Sequence, residues 1–161
     1  MASEESLIIT SLLESRDKEL TIHQISKSIK KSYAYTNKHV HAMIKKCMLK
    51  NKVIGPAILC SLDFRNEETI ASLVYISMIK KARHNLTDKQ HVLIEKYSGL
   101  GILVYYDQKL SLISDEKTKN IAINVLTTEK FLSNIKTYDF SKNIVLSGHE
   151  LFFRLVSKVM Q

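Results

Sequence analysis

The chain of 161 residues holds a single proline, and Pro56 follows directly on Gly55. A Gly-Pro pair forces a turn: proline locks φ and lacks an N–H, while glycine takes conformations other residues refuse. On either side, Val53-Ile54 and Ile58, Cys60, Leu62 show the period-two alternation of short strands. The centre of the first half is therefore expected to be a small hairpin. Whatever precedes it must supply the apolar surface on which the hairpin packs.

The preceding residues read as three helices. Leu7, Ile8 and Leu12 share one face of a helix over residues 4–15. Thr21-Ile22-His23-Gln24 fits a capping box, with Ile22, Ile25 and Ile29 as the buried stripe of a second helix. Ser32 is a candidate cap for a third. At about 100° per residue, Tyr33, Thr36, Val40, Met43, Ile44 and Cys47 gather on one side of that helix, and Ala34, Tyr35, Lys38, Ala42 and Lys45 on the other. The first group is expected to be buried and the second exposed, with both cysteines, Cys47 and Cys60, as reduced core thiols.

Charge separates the two halves. From Leu20 to Leu62 the chain carries eight lysines, at 27, 30, 31, 38, 45, 46, 50 and 52, and no Asp or Glu. A basic face without interspersed acids is the electrostatic footprint of a polyanion binder. Residues 86–161 carry ten basic and eight acidic residues, so the same footprint does not extend there. No run approaches the roughly 18 apolar residues of a membrane span. The acidic start, "MASEES", is unlike a secretory signal, so a cytoplasmic location is expected.

After the hairpin, Asn66 is a plausible cap for a long helix ending near Arg83. Its apolar residues, Ile70, Leu73 and Val74 on one side and Tyr75, Ile76 and Ile79 on others, predict more than one buried face, and with it a homodimer. The remainder alternates helix and strand: a helix capped at Thr87, two strands joined at Asp107-Gln108, a strand at "IAINVL", a helix capped at Thr127, a strand at "NIVLSG", and a last helix burying Leu151, Phe152, Leu155 and Val159. That alternation predicts an α/β domain. Phe131, Phe140, Phe152 and Phe153 are expected in its core, and His84 and His91 on its surface. His39 and His41 point about 200° apart on a helix, so no metal site is expected there.

The stretch "SYAYTNKHVHAMIKKCMLKNKVIG", followed by "LDFRNEETIASLVYISMIKKAR", resembles the winged helix module of archaeal DNA-binding regulators over roughly residues 5–83. Those modules often begin the recognition helix with Ser-Tyr-x-Tyr, here Ser32-Tyr33-Ala34-Tyr35. In that family the module is often joined to a nucleotidyltransferase-like domain, and "LSLISDEKTKNIAINVLTTEKFLSN" with "NIVLSGHELFFRLV" resembles part of one. Such enzymes hold Mg²⁺ on an Asp-x-Asp pair after a Gly-Ser turn. The comparable residues here are Asp107-Gln108-Lys109, and the Gly-Ser turn is missing unless Ser98-Gly99 is its remnant. The resemblance thus implies a non-catalytic domain, no cofactor and no enzyme.

Together these readings predict an α+β chain. A winged helix-turn-helix occupies residues 1–65, a long linker and dimerisation helix 66–85, and a small α/β domain resembling a truncated nucleotidyltransferase 86–161. The expected partner is double-stranded DNA, bound by a transcriptional regulator with residues 33–49 in the major groove. The alternative is a protein-interaction or nucleotide-sensing module. The candidate DNA contacts are Ser32, Tyr35, Thr36, Asn37, Lys38, His39, Lys45, Lys46, Lys50 and Lys52, and the uncharged hairpin tip is expected to add little.

Overall fold

The computed structural model describes residues 3–15, 19–106, 109–116 and 122–160. It is α+β, with two small sheets, and falls into two compact units that divide between Leu73 and Val74.

The first unit runs α1 (Glu4–Glu14), β1 (Glu19–Thr21), α2 (Ile22–Ser28), α3 (Tyr33–Lys45), β2 (Leu49–Ile54) and β3 (Ala57–Leu62). Local chemistry explains each boundary. At the start of α2 the Thr21 N–H donates to Gln24 Oε1 at 2.8 Å, and the Gln24 N–H donates to Thr21 Oγ1 at 3.2 Å, closing the capping box. The hairpin pairs Ile54 with Ala57, leaving Gly55 and Pro56 as a two-residue loop. Gly55 sits at φ +56°, the left-handed conformation such a loop needs at its first position. β3 pairs antiparallel with both neighbours, in the order β1-β3-β2. The strand β1 has no sequence signal, since three residues are too few to show alternation. It exists because β3 offers it an edge.

Two helix ends use residues that rarely take their conformation. Lys30 and Cys47 lie at φ 55° and 57°. After α3, the Cys47 N–H donates to Ile44 O and the Met48 N–H to Met43 O, at 2.9 and 3.0 Å. After α2, the Lys30 N–H donates to Lys27 O and the Lys31 N–H to Ser26 O, at 3.2 and 3.0 Å. Both are Schellman closures, whose left-handed position favours glycine. The turn at Cys47 also swings its side chain outward, so Cys47 is exposed rather than a core thiol. Cys60 is buried as expected, and desolvation pushes its thiol up to about 11.

The core of this unit joins Ile8, Ile9 and Leu12 of α1 to Ile22 and Ile25 of α2, Val40 and Met43 of α3, and Cys60 and Leu62 of β3, all buried. α4 (Glu67–Ala82) follows. Asn66 caps it, its Oδ1 accepting from the Thr69 N–H at 3.0 Å, while its Nδ2 donates to Lys46 O. Along α4, Ile70, Leu73 and Ser77 are buried, Ile76 and Ile79 are half-buried, and Tyr75 and Met78 are exposed.

The second unit continues with α5 (Asp88–Tyr97), β4 (Ile102–Tyr106), β5 (Lys109–Ile113), β6 (Asn124–Leu126), α6 (Thr128–Ser133), β7 (Ile144–Ser147) and α7 (His149–Ser157). Thr87 and Thr127 cap α5 and α6 as expected. The sheet order is β6-β5-β4-β7. β4 lies antiparallel to both β5 and β7, and only β5 and β6 run parallel. This corrects the expected α/β arrangement. A short β4–β5 connection leaves no room for the helical crossover that parallel neighbours need. The Asp107-Gln108 connection itself lies outside the described residues; Lys109 is exposed at the start of β5.

Leu103, Leu112, Ile144 and Leu146 of the sheet pack with Ile94 and Tyr97 of α5. The four phenylalanines are buried, with Tyr138 among them, the rings of Phe131, Phe140 and Phe153 each within about 6.3 Å of Phe152. α7 is turned from its expected setting. Phe152, Phe153, Leu155 and Val156 are buried, whereas Leu151 and Val159 are exposed.

Cys47→Gly is expected to stabilise the protein by roughly 0.5–1 kcal/mol. The left-handed strain is removed, and the exposed side chain gives up no core contact. A urea midpoint that rises at unchanged slope is the expected result; a lower midpoint would mean the thiol makes a stabilising contact.

Candidate nucleic-acid interface

The rotation of α3 about its axis decides which residues can meet a partner. Ser32 starts the helix, its Oγ accepting from the Tyr35 N–H at 3.3 Å. One turn on, Thr36 is fully buried, and its hydroxyl donates to Ser32 O at 3.0 Å. Val40 and Met43 continue that buried line. The opposite face presents Ala34, Lys38, His41, Ala42 and Lys45, all exposed. Spacing of three and four residues makes them one stripe along the helix.

The ten candidate contacts divide accordingly. Thr36 is a correction: a side chain without solvent access, with its hydroxyl already bonded, cannot reach a ligand. Ser32 is exposed but occupied as the cap. Lys38, Lys45 and Lys52 are exposed and have no acidic partner among the described residues. Asn37 and His39 are half-buried at the flank of the stripe. Lys46 Nζ lies 2.9 Å from Glu5 Oε1, and Lys50 Nζ lies 3.8 Å from Asp63 Oδ1. Arg65 also grips Asp63, through Nε and Nη2 at 3.1 and 3.2 Å, and holds its carboxyl below the ordinary range.

Tyr35 is half-buried rather than turned to solvent. The Glu4 carboxylate acts on its hydroxyl, which pushes the phenol up and the carboxyl down. Its ring lies 4.5 Å from that of His39, and Lys31 Nζ sits 5.7 Å from its centre. Tyr35 therefore ties the start of α1 to the start of α3. Tyr33, expected inside, is 53 % exposed, because the first turn of α3 projects past the core that holds Val40 and Met43. His41 belongs to the exposed stripe and was missed. The available signal was its spacing of three from Lys38 and four from Lys45.

The hairpin tip is more apolar at its surface than a phosphate contact needs. Val53 is 68 % exposed and Ile54 51 %, on the strand that carries Lys50 and Lys52. No family model, curated protein or solved structure matches the chain.

Tyr35→Phe is expected to raise the titration of the Glu4 carboxyl, since the hydroxyl that lowers it is gone. In the native chain the α1–α3 link persists above the ordinary carboxylate range and is lost as pH falls through the lowered Glu4 value. An NMR pH titration of the Glu4 side chain checks this. An unchanged midpoint would mean that another group sets it.

Proposed function

We propose that the chain is a winged helix-turn-helix regulator that binds double-stranded DNA through its first unit. The observation that carries this reading is the exposed stripe on α3, with Lys38, His41 and Lys45 and no carboxylate beside them. The element order of the first unit supports it. Two helices joined by four residues lie between the first strand of a three-stranded antiparallel sheet and the hairpin formed by its other two. That is the order of a winged helix, with α3 in the recognition position and α2 crossing the backbone.

In this reading Lys38 and Lys45 hold phosphates, and His41 and Asn37 lie nearest to base edges. Tyr35 positions the helix from behind. Lys46 and Lys50 join only when a phosphate displaces Glu5 or Asp63, exchanging one anion for another. The hairpin is the wing, with Lys52 on the backbone and Val53 and Ile54 against the duplex.

Two recognition helices double the sequence read by one, so the working form is a homodimer. Ala71 and Tyr75 support this: both are exposed, four residues apart on α4. The second unit has no catalytic role in this reading, and among the described residues no helix is long and apolar enough to cross a membrane.

Binding to random duplex DNA should weaken steeply with salt. In the Lys38→Ala/Lys45→Ala double variant, the slope of log K against log salt should flatten by about 0.9 per lost phosphate contact, with an unchanged melting temperature. Native affinity and slope in that variant would remove α3 from the interface. Sedimentation addresses the dimer: a mass near 18.5 kDa at every concentration would rule it out.

A further inference from the structure

The second unit contains a cavity of about 700 Å³ between the C-terminal part of α4, the loop that follows it, α5 and the start of α7. Its size is that of pockets that hold small organic ligands. Its lining is unbalanced in charge. Lys81, His84, His91 and His149 contribute to it, and no Asp or Glu does. Met78, Leu86 and Leu146 supply an apolar wall.

The four basic side chains are not equivalent. Among the described residues no three His, Cys, Asp or Glu side chains group so as to hold a metal ion, so the imidazoles do not form a metal site. His149 is half-buried and lies 2.7 Å, through Nδ1, from Ser77 Oγ. The Ser77 hydroxyl lies 2.8 Å from Val74 O and donates its one hydrogen there. A hydrogen so placed leaves His149 to donate from Nδ1, and the neutral ring then presents Nε2 as a lone-pair acceptor. Burial, and then Lys81, lower its pKa, in keeping with a neutral ring. The cavity thus combines a fixed positive charge at Lys81, a fixed acceptor at His149, two further imidazoles and an apolar wall.

We propose that this cavity binds a small organic phosphate of about nucleoside-monophosphate size, with the phosphate at Lys81 and a ligand hydroxyl donating to His149. The apolar wall takes the non-phosphate part. A free phosphate would leave that wall unfilled, and an uncharged ligand would leave Lys81 unpaired. The site lies wholly within the second unit, so it stands independently of DNA binding by α3.

The experiment uses the full chain without DNA. AMP, adenosine and inorganic phosphate are titrated at neutral pH, following the ring C–H signals of the six histidines and the backbone amide signals by NMR. The His23 ring and the backbone amides of α1, in the first unit and outside the α3 stripe, serve as internal controls. AMP is expected to shift His84, His91 and His149 while sparing the controls. Adenosine and inorganic phosphate should each bind at least roughly tenfold more weakly, a difference of about one hydrogen-bonded charge contact. Lys81→Met, which keeps the apolar stem, should weaken AMP about tenfold; Lys81→Arg should retain binding and covers the case in which the Met variant does not fold. The proposal is overturned if millimolar AMP moves no cavity histidine, if it moves only the controls, if inorganic phosphate binds as tightly as AMP, or if folded Lys81→Met titrates like the native chain.

Discussion

The burial of Thr36, Val40 and Met43 on one side of α3 is the constraint from which the candidate interface follows. A helix has one rotation about its axis, and a core that takes these three side chains leaves no choice about the rest. Lys38, His41 and Lys45 are turned to solvent because Val40 and Met43 are not. Thr36 shows how closely the inner face is satisfied: its methyl packs inside while its hydroxyl returns to the backbone at Ser32. A charge on that line would be buried without a partner and would cost several kcal/mol, comparable to the whole stability of a small domain. The basic stripe therefore depends on the integrity of the apolar one.

Much of this was legible in the residues. Capping chemistry is local, so Thr21, Ser32, Thr87 and Thr127 announce their helices without reference to the rest of the chain. Gly55-Pro56 did the same for the hairpin, because only a few backbone conformations accommodate the pair. What failed was tertiary. Tyr33 shares the helical phase of Thr36 and Val40, yet it stands in the first turn, beyond the reach of the core. Leu151 and Val159 shared a face on paper, whereas the sheet and the aromatic cluster called for Phe152, Phe153 and Val156. The sheet of the second unit was misjudged for the same reason: alternation of helices and strands does not state which strands become neighbours.

The site was legible in its charge and not in its contacts. The acid-free run located the face, and helical phase selected Lys38 and Lys45. It could not show that Tyr35 is claimed by Glu4, or Lys46 by Glu5, since both partners lie more than 30 residues away in a helix whose acidic start looks like ordinary dipole complementation. Cys47 escaped because its pattern is that of a core residue, while its left-handed backbone is set by the way α3 has to end.

These acids sit at the edges of a segment that is itself rich in lysine. Eight like charges within 43 residues repel one another, and a compact state gathers them closer than an extended chain does. The chain answers by placing carboxylates at the rim instead of within the run. Glu4 and Glu5 come from α1 before it, and Asp63 from the residue after it. Exposed pairs of this kind contribute little to stability and are screened by salt. That weakness suits the proposed interface. A phosphate brings the same charge as Glu5 or Asp63, so exchange at Lys46 or Lys50 leaves the ammonium paired throughout. The stripe at the centre, where Lys38 and Lys45 have no acid beside them, has no internal anion to displace. Association can begin there and spread outward to the positions where the protein holds its own substitutes.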